Sequence, residues 1–197
     1  GDARVDSTSL GRLLEVPPTG TLVLSSGYLA DDLQPTRFLA AAAARAARRP
    51  GAWGRVPPAG LPELRTAFAA TIGVDAGDVT VVAGGQSGIS AAFRALSPPG
   101  MPVLLEAPTY MGAVAAAQAA DLRPVPVPTD GDGLRPDLLA EAFARTGAAL
   151  VYTQPTFANP TGGVLAETRR QEVLDVVRAA GAFLVEDDWA HDLGIDG

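Results

Sequence analysis

Four short stretches carry residues whose types and spacing suit polar chemistry at the ends of buried strands. The longest, Val151–Gly163 (VYTQPTFANPTGG), sets two prolines and the amide of Asn159 between a β-branched run and a charged helix. Glu186-Asp187-Asp188-Trp189 ends another apolar run. A carboxylate there is costly to bury alone, so Asp187 should face a cation or a strong donor; a plain helix N-cap is the alternative. Gly84-Gly85-Gln86-Ser87-Gly88 opens a helix and offers backbone N–H groups, a hydroxyl and the positive end of a helix dipole to a phosphate. It is no dinucleotide fingerprint, because Gln86 stands where glycine is needed, and no Walker loop, because the chain has no lysine; a structural turn accounts for the same glycines. Glu106-Ala107-Pro108-Thr109-Tyr110 sets an aromatic ring after a strand, either lining a site or packed as a cap on its neighbours. His191, the one histidine, reads as a surface or capping residue, and without cysteine partners it makes no zinc site.

The elements that must position these residues are legible as period. From about residue 60, helical runs (LPELRTAFAATI, GISAAFRALS, MGAVAAAQAA, RPDLLAEAFART, LAETRRQEVLDVVRAA) alternate with short apolar runs (VTVVAG, PVLLEAP, RPVPVP, AALVYTQ, AFLVEDD). Five strands separated by helices predict an α/β fold, a three-layer α/β/α sandwich with a mostly parallel sheet. In such a sheet ligands bind beyond the carboxyl ends of the strands, where the four stretches fall. Residues 1–60 differ: a loop-rich start and one helix, TRFLAAAAARAARR, form an N-terminal arm before the main domain of residues 61–197.

Composition narrows the function. The 197 residues are 47% hydrophobic and 19% charged, as in a globular chain, and no apolar run reaches a membrane span. A net charge of -7, with all 15 basic residues arginine, argues against this segment gripping nucleic acid. The absence of cysteine suits a reducing compartment.

Taken in order and spacing, GGQSG, EAPTY, QPTFANPTG and VEDDW resemble the fold type I pyridoxal 5'-phosphate (PLP) family, the class I/II aminotransferases. Within it they look most like the aminotransferase-like domain of GntR-type regulators, the MocR group. The resemblance implies that the PLP phosphate sits at Gly85, Gln86 and Ser87, that Tyr110 stacks on the pyridine ring, and that Asn159 donates to its phenolic oxygen. Asp187 would pair with the pyridine nitrogen, and the two prolines would shape a turn that aims Asn159 at the cofactor. It also implies cis bonds at Ala107-Pro108 and Asn159-Pro160, a cytoplasmic homodimer, an amino acid or 2-keto acid as substrate, and no metal.

The chain departs from the family pattern in three places. Trp189 stands where a tyrosine usually donates to the same phenolic oxygen. The tyrosine expected before GLPELR is replaced by the choice of Trp53 or Arg55. The Schiff-base lysine and the carboxylate-binding arginine are expected downstream of residue 197, so this segment alone is not expected to catalyse transamination, and VTVVAG is expected to lie apart from the other strands. Three functions follow: a PLP-dependent aminotransferase, a PLP-sensing regulator whose DNA-binding part lies elsewhere, and a PLP-free fold used for dimerisation.

Overall fold

A computed structural model describes residues 18–22 and 29–193. They belong to two compact units that divide between Val81 and Val82. The first holds helices α1 (Thr36–Ala47) and α2 (Pro62–Ile72). Proline at the first turn of α2 gives up an N–H that has no helical acceptor there, and Gly73, at φ +73°, closes the helix by donating to Ala69 O. Arg65 then ties down the chain that follows, donating to Val79 O (2.6 Å) and Gly77 O (3.0 Å).

The second unit runs α3 (Gly85–Leu96), β1 (Pro102–Ala107), α4 (Met111–Ala119), β2 (Arg123–Asp130), β3 (Gly133–Leu134), α5 (Pro136–Thr146), β4 (Leu150–Thr153), α6 (Glu167–Ala179) and β5 (Phe183–Glu186). The sheet order is β3-β2-β1-β4-β5, parallel except for the β2–β3 hairpin. Side-chain alternation sorts the core into two layers. Val103, Leu105, Leu150 and Tyr152 face Ile89 and Phe93 of α3 and Ala113, Ala116 and Ala117 of α4. Leu104 and Val151 face Leu139, Ala142 and Phe143 of α5 and Val173 and Val177 of α6. This is the three-layer α/β/α arrangement, each buried Leu, Val or Phe contributing about 1.5–3 kcal/mol.

The strand expected at VTVVAG does not form. A β-branched run favours an extended backbone, and Val79 is extended (φ -97°, ψ 127°), but a strand also needs a ladder. Here the backbone is engaged elsewhere: Val79 O accepts from Arg65, and Val81 N–H donates to Ala59 O at 2.9 Å. The fifth strand is instead the two-residue β3, too short to show as a period.

Strand β2 carries proline at 124, 126 and 128, all of one parity. Arg123 N–H donates to Met101 O at 2.9 Å, so the odd residues serve the ladder with β1. The prolines turn their missing N–H groups to the other side, where β3 is the one partner strand among the described residues and pairs at Thr129 and Asp130.

Candidate functional site

The polar side chains of the second unit gather where β1, β4 and β5 end. The β4–β5 register pairs Tyr152 with Val185 and Thr153 with Glu186, and Asp187 N–H extends the ladder to Thr153 O at 2.9 Å. That sets the Asp187 side chain beside β4. Its Oδ2 accepts from Tyr152 Oη–H (2.6 Å) and from Gln154 Nε2–H (2.9 Å). Its Oδ1 makes no hydrogen bond to another described residue. Tyr152 is fully buried, its ring edge-on to Phe93 at a centroid distance of 5.9 Å. Burial, reinforced by the Asp187 carboxylate, pushes its phenol far above the ordinary range, so it is a fixed donor.

Gln154 uses every polar group it offers on this side. Its backbone N–H donates to Glu106 Oε2 at 2.9 Å, its Nε2 to Asp187, and its Oε1 accepts from Asn159 N–H at 2.9 Å. Glu106 also accepts from the Thr153 hydroxyl. Burial raises the Glu106 carboxyl above its usual range, and the bonds from Thr153 and Gln154 partly offset that.

The loop that carries Asn159 closes on itself. Leu165 N–H donates to Pro155 O (2.8 Å), Ala158 N–H to Gly163 O (2.8 Å) and Gly162 N–H to Ala158 O (2.6 Å). The peptide bonds Asn159-Pro160 and Ala107-Pro108 are both cis, as the resemblance implied. The base of the loop is held to the β2–β3 hairpin by Ala166 N–H to Asp132 O (3.1 Å), while Arg169 of α6 pairs with Asp130 and Asp132. Asn159 itself is exposed, and its side-chain amide bonds to no other described residue.

At the start of α3, Gly84 takes φ +114° and no side chain caps the helix. Ser87 and Gly88 N–H groups bond to Gly84 O (3.0 and 3.1 Å), while those of Gly85 and Gln86 have no acceptor within the helix. The Gln86 side chain donates to Gly112 O at 2.8 Å. Gly112 allows this convergence, because a Cβ there would stand 2.3 Å from the Tyr110 ring and 2.4 Å from Gln86 Oε1. Tyr110 packs on the core layer that includes Tyr152. Beside it the buried Thr109 hydroxyl has no partner among the described residues.

Of the residues singled out from sequence, Gln86, Tyr110, Asn159 and Asp187 thus fall in one connected group, with Gly85 and Ser87 on the exposed first turn of α3. Trp189 does not join it: it is 55% exposed and makes no hydrogen bond to another described residue. His191 pairs with Asp188 at 2.7 Å, as a local cap. Sequence reasoning missed Tyr152, Gln154 and Glu106. Their signal was a polar or phenolic side chain inside or just after an apolar strand, which becomes informative only once the register is known.

A model of the aminotransferase class I and II family matches residues 19–196, and the chain belongs to that family. It is 34% identical over 196 residues to a 2-aminoadipate transaminase of Thermus thermophilus, covering 98% of this chain and 49% of the relative. It is 28% identical over 183 residues to YdfD, an HTH-type transcriptional regulator of Bacillus subtilis, covering 90% of this chain and 38% of the relative. Among solved structures, the α-aminoadipate aminotransferase LysN of Thermus thermophilus, in complex with N-(5'-phosphopyridoxyl)-L-leucine, superposes with a TM-score of 0.77 at 36% identity, covering 83% of this chain and 42% of that one. The chain spans about half the length, or less, of these relatives. The fold is therefore that of the fold type I transferases, whose cofactor is PLP.

Proposed function

We propose that the complete protein is a PLP-dependent aminotransferase moving an amino group between an amino acid and a 2-keto acid. The observation that carries this reading is the Asp187 carboxylate, held at the carboxyl ends of the strands by two donors on Oδ2 while Oδ1 has no donor among the described residues. The residues fit the cofactor. An open carboxylate oxygen suits a pyridinium N–H, and the exposed amide of Asn159 suits a phenolic oxygen. The half-buried ring of Tyr110 suits the face of a heterocycle, and the uncapped first turn of α3 suits a phosphate. When bound, PLP supplies an electron sink for the bond broken at the substrate's α-carbon. Asp187 holds the ring nitrogen protonated, Asn159 orients the ring, and Gly85, Gln86 and Ser87 anchor the phosphate. Trp189 stands in the sequence where a tyrosine usually donates to that oxygen, and its indole N–H is a poorer donor.

The 2-aminoadipate transaminase and the LysN structure make 2-aminoadipate and leucine the first donors to assay. The protein acts as a cytoplasmic homodimer in this reading; no helix among the described residues is long and apolar enough to cross a membrane. A second reading, a PLP-sensing effector domain of a GntR-type regulator, is supported by two HTH-type regulators that align over 90% and 98% of this chain.

The test uses the complete protein with added PLP. Asp187→Ala is expected to abolish PLP retention or shift the cofactor band strongly, and Asp188→Ala to act mildly. Equal and negligible effects remove the assignment. Turnover of an amino donor selects the enzyme, whereas PLP binding without turnover, with DNA affinity that depends on PLP, selects the regulator.

A further inference from the structure

We infer that Gln154 is a positioning residue for the cofactor, joining through one side-chain amide the carboxylate assigned to the pyridine nitrogen and the residue assigned to the phenolic oxygen. This rests on the PLP reading of the site and extends it to a residue that touches no cofactor atom in that reading. Gln154 is 4% exposed. Its Nε2 holds Asp187 Oδ2 at 2.9 Å and its Oε1 holds Asn159 N–H at 2.9 Å. The amide is planar and its two polar atoms have a fixed separation, so Asp187 and the Asn159 backbone cannot shift independently while both bonds stand. The amide is itself pinned from behind, because Gln154 N–H donates to the buried Glu106 carboxylate.

The chemistry of position 154 is narrow. Glutamate keeps an acceptor for Asn159 N–H but loses the donor and sets a second carboxylate against Asp187. Leucine keeps the volume and loses both bonds. Asparagine is one methylene too short to span both partners. Tyr152 supplies the second restraint on Asp187, on the same oxygen, at 2.6 Å. With both donors on Oδ2, the carboxylate can rotate only by breaking them, and Oδ1, which has no donor among the described residues, is the oxygen left to a ligand.

A merely structural amide would lower stability when lost and leave the bound cofactor unchanged. The experiment therefore follows PLP itself. In the complete protein, PLP dissociation and the pH midpoint of the bound cofactor's absorption band are measured for wild type, Gln154→Leu, Gln154→Glu, Tyr152→Phe and Tyr152→Phe/Gln154→Leu, with the melting of each cofactor-free protein alongside. We expect Gln154→Leu to weaken PLP about ten-fold or more, Gln154→Glu to weaken it further, and both to move the midpoint. The double variant should lose less than the product of its single changes, because both donors restrain one oxygen. Wild-type affinity and midpoint in Gln154→Leu and Gln154→Glu, whatever their melting, overturn the proposal. If Gln154→Leu fails to fold, the near-isosteric Gln154→Glu and Tyr152→Phe decide by the same criterion. A wild-type protein that binds no PLP would instead refute the aminotransferase reading itself, and this proposal with it.

Discussion

Gly112 is the residue on which the Tyr110 side of the site turns, and Gly112→Ala is a direct probe of it. The new Cβ would lie 2.3 Å from Cε1 and Cζ of Tyr110 and 2.4 Å from Gln86 Oε1. Ordinary carbon contact is about 3.5 Å or more, so the ring must withdraw by roughly 1 Å. It has little room, because Tyr110 packs on the buried layer of Ile89, Ala113 and Tyr152, and Gln86 is tied to Gly112 O. Overpacking of this kind costs about 1–3 kcal/mol, against which alanine regains about 0.5–1 kcal/mol of helix propensity over glycine. A net loss of about 1–2 kcal/mol is therefore expected from urea unfolding. Gly131→Ala serves as the control, since a Cβ there meets nothing within 4 Å. If Gly112→Ala unfolds at the same urea concentration as Gly131→Ala, or later, the packing described around Tyr110 is wrong.

Three further outcomes are expected. Burial raises the Glu106 carboxyl in the folded state, so its contribution is fully present below the ordinary carboxylate range and is lost as pH rises through the elevated midpoint; Glu106→Gln should flatten that part of the stability profile, and an unchanged slope would count against it. The Arg135 side chain, donating to Asp137 at 2.8 Å, holds that carboxyl at about 2, so its contribution is present above the usual value and is lost as pH falls through about 2. Arg135→Gln should raise the Asp137 midpoint towards the ordinary carboxylate range by NMR titration, with little change in stability because the pair is exposed. Phe93→Ala empties a fully buried position against Tyr152 and should cost about 3–5 kcal/mol, measured by urea unfolding; a cost under about 1 kcal/mol would contradict the packing of this layer.

Much of this architecture was legible because helices announce themselves by period. α2 begins at Pro62 and is capped by Gly73, and α5 begins at Pro136 and is capped by Gly147, as local chemistry requires. Strands are less self-sufficient. VTVVAG has the side chains of a strand but pairs with no strand among the described residues, and no local signal distinguishes it from PVLLEAP, which becomes the central β1. The site divides the same way. Asn159 and Asp187 stand in short motifs that the family resemblance picks out, whereas Gln154 and Tyr152 acquire their roles only through the parallel register of β4 and β5, which brings residues 33 and 35 positions apart onto one carboxylate oxygen. Glu106 was quoted as part of EAPTY, but its depth depends on β1 lying between β2 and β4.

The three prolines of β2 give the sheet a direction of growth. Beyond the short hairpin with β3, the outer side of β2 offers no N–H groups at 124, 126 and 128, so an extended chain laid along it would find acceptors without donors and could not zip. At the opposite margin β5 (FLVE) has no such block and pairs only with β4 among the described residues. Any strand recruited to this sheet, from the same polypeptide or from another, is therefore steered to β5, the margin that carries Asp187. Assembly of the fold is one-sided, and the side left open is the one where the chemistry is proposed to occur.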